Sequence, residues 1–266
     1  MTALSINVNK IALLRNSRGG ARPDLLEACR VALRAGAAGI TVHPRPDQRH
    51  IRADDVPAIA EMLRREFPGT EFNVEGNPFA SANAGGYPGF DALIERARPD
   101  QVTLVPDDET QLTSDHGWAL PRETPALAER VARYQALGAR VSLFMDPDVR
   151  SIAAVPATGA DRIELYTGPF ADAFEQDGRR SGRSTRASYD AFAAGAEAAL
   201  AAGLGVNAGH DLDLDNLVTF RELPGLQEVS IGHALVSDAL ESGGLYGTVR
   251  RYIAVLRGAS GTDRAT

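Results

Sequence analysis

Lysine and cysteine are almost absent from this sequence. Among 266 residues, Lys10 is the only lysine and Cys29 the only cysteine, while arginine is used freely. A single cysteine excludes a disulfide within the chain, and its place in the amphipathic segment DLLEACRVALRAG predicts a buried structural thiol. The single lysine leaves three interpretations open: a Schiff-base nucleophile, a phosphate ligand, or a by-product of an arginine- and alanine-rich composition.

Long apolar runs and an excess of positive charge are absent as well. No apolar run approaches the roughly 18 residues of a membrane-spanning helix, and the first residues lack the pattern of a secretory signal peptide. The formal net charge of −7 and the isoelectric point of about 5.3 disfavour a general attraction to nucleic acid or anionic membranes. We therefore expect a soluble, cytoplasmic protein with no nucleic-acid or membrane partner, in which any anion site is a local cluster of arginines.

Short apolar segments rich in β-branched residues recur about every 30 residues, with amphipathic helical segments between them. Eight such repeats predict an α/β fold, a closed (β/α)8 TIM barrel. An open doubly wound sheet is the alternative, but it usually carries a glycine-rich phosphate turn after its first strand, and no such motif follows here. The predicted strands are residues 3–9, 39–43, 71–75, 101–105, 140–146, 162–168, 204–210 and 228–234.

The length and the single βα period indicate one domain. We assign residues 1–258 to the barrel and expect the polar tail, residues 259–266, to be disordered. Residues 83–90 are interpreted as a flexible turn. The arginine-rich residues 177–184 are interpreted as a solvated loop, with an anion clamp as the alternative.

Polar side chains end most of the predicted strands. The loops after the strands of a TIM barrel converge at one mouth, so these residues are expected to face a common pocket. Three of the five histidines lie at strand ends and a fourth follows the second strand, which favours a catalytic cluster. A metal site is the rival interpretation, but the usual His and Cys motifs are absent and we expect no metal. The strand-end residues are Asn7, Asn9, His43, Glu75, Asp146, Glu164, Asn207, His210, Gly232 and His233.

Two segments are suited to anion binding. After the second predicted strand, HPRPDQRHI combines two stiffening prolines with Arg45, Arg49 and His50, as phosphate recognition by a guanidinium group requires. After the eighth, IGHALVSDAL places a glycine where a helix begins, so that backbone N–H groups can reach a phosphate. Two anion sites indicate two phosphorylated small-molecule substrates.

These segments resemble the pyridoxine 5′-phosphate synthase family. The shared motifs are NVNKIALLRNSRGG, GITVHPRPDQRHI, NVEG, LVP followed by LTSDHG, RIELYTG, VNAGHDL and SIGHALVSDAL, and they span most of the chain in the family's order. The resemblance implies a TIM barrel, a homo-octamer and no cofactor. It also implies one reaction, the condensation of 1-deoxy-D-xylulose 5-phosphate with 3-amino-2-oxopropyl phosphate to pyridoxine 5′-phosphate, phosphate and water.

The resemblance further implies roles for individual residues. His43 and Glu75 correspond to general bases, His210 to a proton donor, and Glu164 to a carboxylate that stabilises charge in the transition state. The long loop after the fourth strand corresponds to a lid that excludes water from reactive imine intermediates. The amino ketone phosphate would contact Asn7, Arg18, Asp211, Gly232 and His233, and the deoxyxylulose phosphate would contact Asn9, Lys10, Arg45, His50 and Thr113.

Two positions depart from the family's commoner pattern. Asn9 and Lys10 stand where Asp-His is usual, and Asp211 stands where glycine usually follows the proton donor. We interpret Lys10 as a fixed positive charge beside the deoxyxylulose phosphate, because the imine of this reaction forms between the two substrates. The alternatives are a Schiff-base aldolase with Lys10 as its nucleophile and a non-catalytic phosphosugar-binding barrel.

Overall fold

A computed structural model describes residues 1–108 and 110–259. The strands are β1 (Ala3–Asn7), β2 (Gly39–Val42), β3 (Glu71–Gly76), β4 (Gln101–Leu104), β5 (Arg140–Met145), β6 (Arg162–Tyr166), β7 (Gly205–Gly209) and β8 (Leu226–Ile231). They are parallel, each pairs with the next, and β8 pairs with β1 to close a barrel. The predicted (β/α)8 barrel is thereby confirmed. The tail expected over residues 259–266 lies outside the described residues, apart from residue 259.

Helices follow the strands around the barrel. They are α1 (Asn9–Asn16), α2 (Leu25–Arg34), α3 (Asp55–Glu66), α4 (Phe90–Ala97), α5 (Thr124–Ala136), α6 (Val149–Ile152), α7 (Gly168–Gln176), α8 (Arg183–Ala201), α9 (Leu217–Phe220), α10 (His233–Glu241) and α11 (Leu245–Leu256), with a 3-10 turn at Val155–Thr158. Within the described part of the chain, none of these helices has the length and apolar character needed to cross a membrane.

Helix α2 shows how an amphipathic segment docks on the barrel. The Asp24 side chain accepts a hydrogen bond from the Glu27 backbone N–H (3.0 Å), which satisfies one of the free amides of the first turn. The apolar side chains, spaced three to four residues apart, are buried in the core. Cys29 is fully buried among them, as predicted, and burial raises the pKa of its thiol to about 12.

Side chains along each strand point alternately outward and inward. The outward side chains form an apolar layer beneath the helices, and many of the inward ones are polar. Ile6, Ile40 and Val74 point outward and are fully buried beneath the helices. Ser5 and Thr41 point inward, where their hydroxyl oxygens lie 2.7 Å apart. Branched aliphatic side chains more often fill such an interior, but here the polar lining continues up to the mouth. Other buried polar strand residues include Asn73, Gln101, Thr103, Ser142 and Asn207.

The first strand ends two residues earlier than the sequence predicts. The Asn7 side chain accepts a hydrogen bond from the Asn9 backbone N–H (3.1 Å), and this local contact turns the chain out of the strand. Asn9 and Lys10 consequently form the first turn of α1 instead of a strand end. Their side chains reach the barrel mouth from a helix.

Candidate active site

A cavity of about 340 Å³ opens at the carboxyl ends of the strands. Its walls come from distant parts of the sequence, because parallel strands all end at the same mouth. Of the residues to which the family resemblance assigns a role, all except Arg18 line it: His43, Glu75, Glu164, His210, Asn7, Asn9, Lys10, Arg45, His50, Thr113, Asp211, Gly232 and His233.

Arg18, Asp146 and Asn207 do not line this cavity. Arg18 is exposed beyond the end of α1. Asp146 anchors the loop after β4, since its Oδ2 accepts a hydrogen bond from the Gly117 backbone N–H (3.2 Å). Asn207 lies two residues before the end of β7 and therefore one layer below the mouth, where its Oδ1 accepts from Arg162 Nη1 (3.0 Å). The expectation that Asp146 and Asn207 face the pocket is wrong.

Two buried glutamates, Glu75 on β3 and Glu164 on β6, face the cavity. Glu75 accepts hydrogen bonds from the side-chain amides of Asn7 (3.4 Å) and Asn73 (3.5 Å). Glu164 accepts from the Thr103 hydroxyl (3.5 Å). Burial, together with the nearby charge of Glu75, raises the pKa of Glu164 well above its ordinary value. Its surroundings therefore favour the protonated form of the Glu164 carboxyl group.

His43, which follows β2, lies between two carboxylates. Its Nε2 is 3.1 Å from Asp107 Oδ2 and its Nδ1 is 3.7 Å from Glu75 Oε2. Its backbone N–H donates to Asn9 Oδ1 (3.0 Å). Burial lowers the pKa of the His43 imidazole, but the Asp107 and Glu75 carboxylates outweigh burial and raise it to about 9. In this arrangement His43 is protonated at neutral pH.

The loop after β2 carries a neutral histidine and two arginines. His50 Nδ1 accepts a hydrogen bond from the following backbone N–H (2.9 Å), so the neutral ring carries its proton on Nε2. Burial, and then the positive charges of His43 and Arg45, lower the pKa of His50 to about 2. Arg45 and Arg49 both donate to the Gln111 carbonyl (3.2 and 3.1 Å). The two guanidinium groups therefore hold the loop after β4 against the cavity.

His210 occupies a strained turn after β7. Its φ of +85° lies where residues other than glycine are disfavoured. Its Nδ1 is 2.8 Å from Asp211 Oδ2, and its Nε2 is 2.7 Å from Thr113 Oγ1. The imidazole is held between its neighbour in sequence and the loop after β4.

Gly209 at the end of β7 and Gly232 directly after β8 lie where a side chain would collide with residues of the site. A Cβ atom at Gly209 would approach Glu164 Oε1 to 2.2 Å, and one at Gly232 would lie 3.0 Å from the Asn7 carbonyl oxygen. Gly232 also precedes α10, whose first N–H groups have no partner within the helix. Because Gly232 and His233 line the cavity, this wall is suited to a phosphate group.

The structure bears on two alternatives that the sequence raises, a metal centre and an anion clamp at residues 177–184. Residues 1–108 and 110–259 contain no group of three or more His, Cys, Asp or Glu side chains that could hold a metal ion. In the loop at 177–184, Arg179 forms ion pairs with Glu175, Asp213 (2.9 Å) and Asp215 (2.8 Å). These carboxylates favour the solvated-loop interpretation over the anion clamp.

Comparison with known proteins agrees with this geometry. Residues 4–258 match the family model described as pyridoxal phosphate biosynthesis protein PdxJ. Pyridoxine 5′-phosphate synthase of Xanthomonas oryzae pv. oryzae (strain PXO99A) is 55% identical over 97% of this chain and 98% of its own. The protein of that name from Xylella fastidiosa (strain 9a5c) is 52% identical over 96% of this chain and 95% of its own. The chain belongs to the PdxJ family.

Solved structures of other barrels confirm the fold alone. A mutant tryptophan synthase α-subunit from Pyrococcus furiosus aligns with a TM-score of 0.60 and 14% identity, over 97% of this chain and 98% of its own. Phosphoribosyl anthranilate isomerase from Thermus thermophilus aligns with a TM-score of 0.55 and 18% identity, over 96% of this chain and 98% of its own. Membership in the PdxJ family, in contrast, confirms the resemblance that the sequence motifs indicate.

One buried carboxylate of this PdxJ-family site was not predicted from the sequence. Asp107 lies in the loop after β4, with 6% of its surface exposed. Its Oδ2 is 2.5 Å from Arg45 Nη2 and also contacts His43. Its sequence context, LVPDD, does not distinguish a buried carboxylate from a solvated loop aspartate, because both partners are more than 60 residues away along the chain.

Proposed function

We propose that this PdxJ-family protein condenses 1-deoxy-D-xylulose 5-phosphate with 3-amino-2-oxopropyl phosphate to give pyridoxine 5′-phosphate, phosphate and water. The proposal is carried by the meeting of His43, Glu75, Glu164 and His210 in one cavity, in a chain 55% identical to proteins named for that activity. Building a pyridine ring from two ketone phosphates requires imine formation, phosphate loss, an aldol-type ring closure and dehydrations. Each of these steps moves protons.

His43 and Glu75 act as the general bases, and their surroundings set the order in which they act. With its pKa raised to about 9, His43 starts as an acid and becomes a base only after it has given up its proton. Glu75 accepts hydrogen bonds from two amides and takes the first proton. Opposed protonation states in neighbouring groups suit a sequence of alternating proton transfers.

Glu164 stabilises charge in the transition state as a hydrogen-bond donor. Burial and the neighbouring Glu75 charge raise the pKa of its carboxyl group. In the protonated form that this shift favours, it can donate to a substrate oxygen on which negative charge develops. The resemblance implies a charged carboxylate at this position, and the burial of Glu164 favours the neutral form instead.

His210 donates protons on the side of the cavity opposite β2 and β3. Asp211 orients its Nδ1, and Thr113 contacts its Nε2. Thr113 belongs to the loop after β4, so movement of this loop would both open the cavity and free the proton donor. This coupling supports the assignment of the loop as a lid.

The two phosphates bind to different sets of residues that line the cavity. The deoxyxylulose phosphate contacts Asn9, Lys10, Arg45, His50 and Thr113. Lys10 and Arg45 bring positive charge to this set, and the neutral His50 ring can donate its Nε2–H. The amino ketone phosphate contacts Asn7, Asp211, Gly232 and His233 beside the first amides of α10. The assignment of Arg18 to this second phosphate rests on the resemblance alone, because its side chain lies outside the cavity.

We also propose a cytoplasmic homo-octamer, which the resemblance implies. Light scattering on the purified protein measures its mass, and the mass of the 28.3 kDa single chain would contradict the assembly.

Incubation of the purified protein with both ketone phosphates tests the activity. We expect the absorbance of a pyridine ring and release of inorganic phosphate only when both substrates are present. Glu75→Gln should lower turnover by about 10²–10⁴-fold, the usual contribution of general acid–base catalysis. Glu61→Gln, on the exposed face of α3, is the matched control and should leave turnover unchanged. Absence of a pyridine product from the unmodified protein would contradict the proposal.

Borohydride reduction separates this reaction from a Schiff-base aldolase. Lys10 lines the cavity, so a covalent imine at its Nζ is sterically possible. The synthase predicts no adduct, because the amino ketone supplies the amine. A ketone phosphate reduced onto Lys10 would instead support the aldolase.

A further inference from the structure

The buried carboxylate of Asp107 contacts two residues of the proposed site. Its Oδ2 lies 3.1 Å from His43 Nε2 and 2.5 Å from Arg45 Nη2. The side chains of Asp107, His43 and Arg45 are only 6%, 8% and 6% exposed. Water cannot screen these contacts effectively, so they control the charge and orientation of the groups involved.

The contact with Asp107 makes the two ring nitrogens of His43 unequal. Among the described residues Asp107 Oδ2 has no hydrogen-bond partner of good geometry, so the contact with Nε2 is electrostatic. A carboxylate charge 3.1 Å away favours a proton on Nε2 over a lone pair at that position. Nδ1 is 3.7 Å from Glu75 Oε2, which is beyond hydrogen-bond distance. When the ring is neutral, its lone pair is therefore on Nδ1, on the side that faces Glu75 and the cavity.

We propose that Asp107 is the positioning residue of His43. Its negative charge, 3.1 Å from Nε2, favours the tautomer whose Nδ1 lone pair faces the reacting groups, and the ion pair with Arg45 keeps the carboxylate in place. The catalytic consequence rests on the proposed function, whereas the choice of tautomer does not. A buried aspartate holds a catalytic imidazole in the same way in Ser-His-Asp hydrolases.

The charged groups around His43 come from three elements. Glu75 on β3 and Asp107 after β4 favour the protonated ring, whereas Arg45 and the neutral His50 come from the loop that follows His43 itself. Burial would raise the pKa of Asp107, but the positive charges of His43 and then Arg45 lower it to about 2. Asp107 therefore remains ionised over the whole range in which His43 titrates.

Nuclear magnetic resonance of the ring nitrogens, recorded without substrates, tests the tautomer directly. The chain has five histidines, and a His43→Gln variant identifies the His43 signals by their loss. We expect the neutral His43 ring to carry its proton on Nε2. A proton on Nδ1 in the unmodified protein would overturn the proposal without any variant at Asp107.

Asp107→Asn should lower the pKa of His43 by at least about one unit, because it removes a carboxylate in direct contact with the ring. Asp108→Asn is the matched control, since that neighbouring carboxylate is exposed and accepts from the Thr110 backbone N–H (2.7 Å). It should leave the pKa of His43 unchanged. An unshifted pKa in Asp107→Asn would refute the assignment.

Turnover measurements then connect the tautomer to catalysis. Asp107→Asn should lower kcat by about 10²–10⁴-fold, because its amide can donate to Nε2 and favour the wrong tautomer. Asp107→Glu keeps a carboxylate and should recover at least about tenfold of that loss. Loss of kcat with an unchanged tautomer and pKa of His43 would mean a merely structural role and would overturn the proposal. Failure of the unmodified protein to form a pyridine would contradict the proposed function instead.

Discussion

The ion pair between Arg15 and Asp55 joins two elements that carry the phosphate-binding residues. Arg15 Nη1 donates to Asp55 Oδ1 (2.6 Å) and Nη2 donates to Oδ2 (2.8 Å), with side-chain exposures of only 8% and 12%. The same guanidinium donates to the His50 carbonyl (3.3 Å). The pair therefore fixes α1, with Asn9 and Lys10, against the loop that carries His50.

Asp55→Asn leaves the Arg15 charge buried without a carboxylate. Breaking a buried pair by removing one partner costs about 3–5 kcal/mol, against about 0–1 kcal/mol for an exposed pair. Asp55 Oδ2 also accepts from the Arg52 backbone N–H (2.7 Å), which the asparagine oxygen can still do. We therefore expect the lower end, about 3 kcal/mol. At about 2 °C per kcal/mol for a domain of this size, Tm should fall by roughly 6 °C.

Urea unfolding measures this loss, with Glu61→Gln as the matched control. Glu61 pairs with Arg64 at 3.3 Å, and both side chains are more than half exposed, so its replacement should cost less than about 0.5 kcal/mol. Asp55→Asn should also raise KM for the deoxyxylulose phosphate, because α1 and the loop after β2 are no longer held together. A loss no larger than that of Glu61→Gln would refute the view that this pair stabilises the site.

Three further predictions concern the cavity. Because the pKa of Glu164 is raised by burial and by the Glu75 charge, the folded protein binds a proton that the unfolded chain releases above the ordinary glutamate range. The free energy of unfolding then falls by up to about 1.4 kcal/mol for each unit by which the pH rises through this range. Measured by urea titration at several pH values, this decrease should be smaller in Glu164→Gln; the same decrease in both proteins would contradict the prediction. Asp211→Asn should lower kcat about tenfold in steady-state assays, because the acceptor that orients the imidazole of His210 loses its negative charge, and unchanged kcat would mean that the Asp211 carboxylate does not orient the ring. Lys10→Arg should keep turnover within about tenfold, since a fixed charge is preserved, whereas complete loss would point to a nucleophilic lysine.

The barrel was predictable because its signals are local. Segments such as the one around Val74 alternate in the manner of strands, and the spacing around Cys29 is helical, so eight βα units could be counted directly. The end of the first strand was not predictable in this way. The chain leaves the strand because the Asn7 side chain accepts one hydrogen bond from the Asn9 backbone N–H. The alternation of apolar residues in the sequence does not predict that hydrogen bond.

The candidate site was predictable to the extent that strand ends converge. His43, Glu75, Glu164 and His210 all reach the cavity, as expected of residues at the carboxyl ends of barrel strands. Asp107 was missed because it lies in a loop. Loops lack the regular spacing of apolar residues that predicts burial in strands and helices. Asp146 and Asn207 also lie near strand ends, but the prediction that they face the cavity was wrong. A residue's position along a strand does not show which hydrogen-bond partner its side chain will find.

The sequence by itself determined the fold class, the family and most of the residues that gather at the mouth, because these depend on local periodicity and on motif order. Only the tertiary structure decided the protonation states within the site. The pKa of His43 rises and that of His50 falls although both are histidines next to the same strand. Their difference arises from burial and from charges a few ångströms away in space, and those distances exist only after the chain has folded.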